Sequence, residues 1–152
     1  MLDSKWKPVL DDALGHMYDD RRFGHLLIVA LYEGDLPPFC THMPLDPEPE
    51  TGVQINDFQT AYETAVATNN AARDGAVMVR LPEDVGSVPV ITGWSFRLFP
   101  PPLDVARRYN RGSGYNSSLD FSGLEGVYCV YLANLTGVLR FDGGTETVLR
   151  RR

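Results

Sequence analysis

Arg107, Arg108 and Arg111 fall within five consecutive positions, among Tyr109, Gly112, Gly114 and Tyr115. Nowhere else in the chain do positive charge, aromatic rings and permissive backbone coincide. A guanidinium presents a planar fork of donors that matches a carboxylate or phosphate two bonds at a time. Glycines let backbone amides turn toward the same anion, and the two tyrosine rings can stack beside it. The same composition suits a protein contact, because Arg and Tyr are enriched at interface hot spots. Arg107, Arg108, Tyr109, Arg111 and Tyr115 are therefore the candidate partner- or anion-binding residues, set against a solvated loop whose arginines pair with Asp104 and Asp120. A second basic group, Arg150, Arg151 and Arg152, is the candidate interface of a terminal strand, suited to an acidic neighbour.

Other chemistries lack their residues. A phosphate-binding P-loop needs a lysine after its second glycine, and the only lysines are Lys5 and Lys7. Gly112-Ser113-Gly114 is too short for the strained turn of a serine nucleophile, and it reads as a flexible connector. Zinc needs three or four ligands; Cys40, His42, His16, His25 and Cys129 have no patterned spacing, so no metal and no cofactor are expected. Cys40 and His42 are close enough to form a thiolate pair, but no third group orients the base, and no catalytic set is assigned. Cys129, flanked by Tyr128 and Val130, reads as a small buried apolar group. Asn116-Ser117-Ser118 and Asn134-Leu135-Thr136 match the glycosylation pattern, which carries no weight without a secretory signal.

The charge is uneven. Residues 1–57 hold eleven acids against four bases, a net of −7, while residues 58–152 carry nine acids and ten arginines, a net of +1. Such a chain is repelled by a nucleic-acid backbone, so no nucleic-acid partner is expected. The longest apolar run, Leu26 to Tyr32, is too short to cross a bilayer, and no membrane partner is expected. With no recognisable signal for secretion, the expected setting is the cytoplasm or a virion.

The elements that position these residues follow from periodicity. Trp6, Val9, Leu10, Ala13, Leu14 and Met17 recur at helical spacing. His25 to Tyr32 reads as a central strand covered on both faces. Five prolines between Asp35 and Gly52 predict a long irregular loop over 35–55. Asn56 with Gln59 forms a capping-box-like start for a second helix, which Gly75 stops. Ala76 to Leu81 is the next strand. Val88 to Phe99 alternates as a long one, its even positions making one apolar face, before Pro100, Pro101 and Pro102 end it. Leu103 to Asn110 predicts a short helix within an Arg-, Gly- and Tyr-rich connector spanning 100–126. Val127 to Ala133, Gly137 to Phe141 and Thr145 to Arg150 complete an antiparallel meander.

The length and 43% hydrophobic content suit one domain over 1–152. The predicted fold is α+β: two helices packed on a mainly antiparallel sheet, with a C-terminal β-meander. The predicted function is a non-enzymatic protein-interaction or assembly module, a viral structural or accessory protein among them, with a protein partner or a second copy of itself. The alternative is a small enzyme or ligand-binding domain that uses the arginine cluster for an anionic ligand.

Overall fold

The computed structural model describes residues 5–84, 86–105 and 112–152. The first helix, α1 (Trp6–Asp19), buries Leu10, Leu14 and Met17 on one stripe, as its spacing predicts. Strand β1 (Leu27–Tyr32) is buried at every position. It is central because both of its faces are covered. Two short strands, β2 (Cys40–His42) and β3 (Val53–Gln54), occupy the stretch predicted to be irregular. Strand β2 lies between Pro38 and Pro44 and β3 follows Pro49, and in each a few free backbone donors suffice for edge pairing.

A 3-10 turn (Ile55–Asp57) leads into α2 (Phe58–Thr68). The predicted capping box is not formed: Asn56 lies inside that turn, and Asp57 precedes α2 without a side-chain cap. Asn69 instead caps the following turn (Asn70–Arg73), its side chain accepting from Ala71 N. Then come β4 (Ala76–Arg80), β5 (Val90–Leu98), α3 (Ser113–Phe121), β6 (Val127–Asn134), β7 (Gly137–Asp142) and β8 (Thr145–Arg151). Helix α3 stands where a connector was expected. The predicted helix at Leu103 does not begin there, because Leu103, Asp104 and Val105 are non-helical; the rest of its span, 106–110, lies outside the described residues.

The eight strands form one sheet in the order β2-β5-β4-β1-β6-β7-β8, with β3 also paired to β5. Only the β1–β4 pair is parallel. The fold is α+β and ends in the meander β6 to β8. Helices α1 and α2 cover one face, packing Leu10, Leu14, Phe58 and Tyr62 on Val29, Val77 and Tyr131. Helix α3 covers the other with Tyr115, Leu119 and Phe121 against Ala30, Met78 and Val130. The sheet is thus sandwiched between helical layers.

Strand β5 departs from strict alternation. Trp94 enters the α1/α2 core, whereas Phe96 and Leu98 enter the α3 core. Ser95 takes a positive φ of 61°, and the β4–β5 register shifts twice nearby, which reverses the faces as a bulge does. Among the described residues no helix is long and apolar enough to cross a membrane.

Candidate functional site

Helix α3 opens without a side-chain cap. Gly112 precedes it at φ 89°, and its first turn contains no acid. The amides of such a turn lack intrahelical acceptors and, with the helix dipole, favour an anion. Burial of Tyr115, Leu119 and Phe121 holds this turn against the sheet, over the start of β1 and the end of β6. Gly114 permits the close approach: a Cβ there would come 2.5 Å from Leu26 Cδ2.

Beside this turn lies a cleft of about 270 Å³. Ile28, Met43, Phe96 and Leu98 supply apolar walls; Ser113, Ser117 and Arg97 supply polar ones. Gly75 closes the back at φ 79°, where a Cβ would meet the Phe96 carbonyl at 2.7 Å and Met43 Cε at 2.9 Å. Arg97 is the only charged residue of β5. It is exposed, and its side chain has neither ion pair nor hydrogen bond among the described residues. Two hydroxyls and uncapped amides beside apolar walls, with an arginine on the lining, can hold an anionic group carried on an apolar body.

Of the residues singled out from sequence, Arg107, Arg108, Tyr109 and Arg111 lie outside the described residues. Tyr115 is buried in the first turn of α3, donates to Glu146 Oε1 at 2.9 Å and meets Phe141 edge-on at 5.1 Å between centroids. Its ring is packed into the core. Arg150 Nε donates to Asp19 Oδ1 at 3.2 Å, while Arg151 and Arg152 are exposed at the end of β8.

Cys40 and His42 share β2 but not a proton path. Cys40 donates to the Pro37 carbonyl at 3.3 Å, and burial pushes its thiol up, away from thiolate. His42 Nε2 sits 2.8 Å from Glu48 Oε1, with its ring 5.1 Å from that of Phe96. Among the described residues, no group of three or more His, Cys, Asp or Glu side chains is placed to hold a metal ion. Sequence reasoning read Arg97 only as a strand residue and Gly75 only as a helix stop. The available signals were a lone charge in an apolar strand and a glycine at a strand entrance.

Neither a protein-family model nor a curated protein matches this chain. Its fold does match solved structures. One is a hypothetical membrane spanning protein from Bacillus cereus, with a TM-score of 0.55 and 12% identity, covering 95% of this chain and 63% of the other. Another is a cysteine double mutant of DacA from Staphylococcus aureus, with a TM-score of 0.51 and 13% identity over 93% of this chain and 83% of that one. The present chain thus spans less than two thirds of the Bacillus protein. At these identities what is shared is the fold.

Proposed function

We propose that this chain is a ligand-binding domain whose cleft beside α3 takes a phosphate-bearing small molecule with a flat apolar body, of the nucleotide kind. The uncapped first turn of α3, with Ser113 and Ser117 lining the same cleft as Arg97, carries this reading. The anion would be held by Arg97, Ser113, Ser117 and the first-turn amides, and the apolar body by Phe96, Leu98 and Met43. Arg107, Arg108 and Arg111 directly precede Gly112 in sequence, so the arginine cluster is adjacent in the chain to this end of α3.

Isothermal titration with adenosine monophosphate, inorganic phosphate and adenosine tests the proposal. The monophosphate binds best, phosphate alone more weakly and adenosine least, and Arg97→Ala weakens the monophosphate roughly tenfold, as loss of one charge-assisted contact implies. Equal affinity for adenosine and its monophosphate, or no effect of R97A, overturns it.

A protein-association role, in a cellular or a viral assembly, is favoured by a separate observation. Phe39 and Phe99 form an exposed edge-to-face pair with centroids 6.3 Å apart, near exposed Leu36. Sedimentation of the parent chain beside F39S/F99S reads this role directly. Association that vanishes in the variant supports it, and a monomer at every concentration removes self-association.

A further inference from the structure

A second cavity, of about 420 Å³, opens where β6, β7 and β8 end on the α3 face. Its floor is apolar, made by Leu132, Leu139 and the Tyr115 ring. Its mouth carries Arg151 and Arg152, which have no ion pair or side-chain hydrogen bond among the described residues. Among the described residues no acid lines it, although Glu146 accepts from the hydroxyl of the lining Tyr115 and the chain as a whole is acidic. Arg150 turns its guanidinium the other way, over Gly15 of α1 and onto Asp19, so the two free arginines are not drawn into that pair.

Asn134 adds a directed donor. Its Oδ1 accepts from Thr136 N at 2.9 Å and from Thr136 Oγ1 at 2.7 Å, which fixes the side chain and leaves its amide nitrogen over. Gly137 shapes the cavity by close approach, since a Cβ there would stand 2.7 Å from the Arg150 carbonyl. The volume suits a small molecule and is far below a protein footprint.

We infer that this cavity is a second binding site, separate from the Arg97 cleft, for a phosphate or carboxylate carried on a flat apolar body. Arg151 and Arg152 hold the anion, the Asn134 amide orients it, and Leu132, Leu139 and Tyr115 receive the apolar part. The site stands on its own residues and does not depend on the first cleft being occupied.

Titration of the full chain with phenyl phosphate, benzoate and benzyl alcohol tests it, repeated on R151A/R152A, with melting temperatures confirming that the variant is folded. One or both anions bind, the alcohol binds much more weakly, and R151A/R152A weakens the anion on the order of tenfold or more. R151K/R152K recovers part of the affinity, because the charge remains and the planar fork is lost. Failure of both anions to bind at millimolar concentration overturns the inference. So does equal binding of the alcohol, or anion binding that R151A/R152A leaves unchanged.

Discussion

Asp11 shows how much one side chain can hold. It accepts from the Tyr131 hydroxyl at 2.7 Å and from Arg140 Nη1 at 2.5 Å, and Arg140 also donates to Asp142. Tyr131 is fully buried, and burial, before its charged neighbours, holds its hydroxyl well above the usual tyrosine range. Asp11→Ala therefore leaves the Tyr131 hydroxyl with only the Lys7 carbonyl at 3.2 Å and Arg140 with only Asp142, and a loss of about 1 to 3 kcal/mol in urea unfolding is expected. A loss within the error of the measurement would show that water replaces the carboxylate. Cys129 gives a pH prediction. Burial above all pushes its thiol up from 9.0 to about 12. The native thiol keeps its proton where the unfolded one loses it, so this contribution is constant below about pH 9 and falls as pH rises toward 12. Lys7 adds in the same direction: burial opposes its charge, but the hydrogen bond and charge of Asp142 outweigh it and raise its pKa above 10.5. Unfolding free energy should stay level to about pH 9 and then decline, with Cys129→Ala delaying the onset. Superimposable profiles for the two proteins would contradict the assignment.

At the scale of elements, what could be read in the sequence depended on whether local pattern and burial agreed. Helix α1, strand β1 and the meander were legible because continuous apolarity or regular alternation coincided with the face each one buries. Helix α3 was not legible, because Gly114, Asn116, Ser117 and Ser118 are weak helix formers and tertiary burial of Tyr115, Leu119 and Phe121 decides the matter. The cleft was hidden for a related reason. Arg97 gains its meaning only when the bulge at Ser95 and the turn of α3 bring distant residues together. Two glycines distinguish the element contacts by experiment. Gly137→Ala sets a Cβ against the Arg150 backbone at 2.7 Å, which cannot yield without displacing β8, and should cost about 1 to 3 kcal/mol. Gly114→Ala meets only the far end of exposed Leu26, and should be near neutral because the gain in helix propensity offsets that contact. Equal losses for both would mean that β8 adjusts as easily as a leucine side chain.

Across the whole molecule, the acidic first third and the basic end meet within one chain. Arg140–Asp11 and Arg150–Asp19 join α1 to β7 and β8 in this sense, while Lys7–Asp142 at 2.8 Å joins α1 to β7 with the charges reversed. The charge asymmetry thus contributes to docking the first helix. The Arg150–Asp19 pair is largely exposed, so Arg150→Ala should cost under about 1 kcal/mol and less still at high salt. A larger loss would point to packing of its guanidinium over Gly15 as the main contribution. The central claim is an anion held at the first turn of α3, in the cleft that Arg97 lines. A ¹⁵N-resolved titration with adenosine monophosphate reads it most directly: the amides of Ser113, Gly114 and Ser117 should shift in a saturable way, together with those of Arg97 and Gly75, and R97A should suppress the response. Saturable shifts confined to other parts of the sheet, or no shifts at α3 at any concentration, would contradict it.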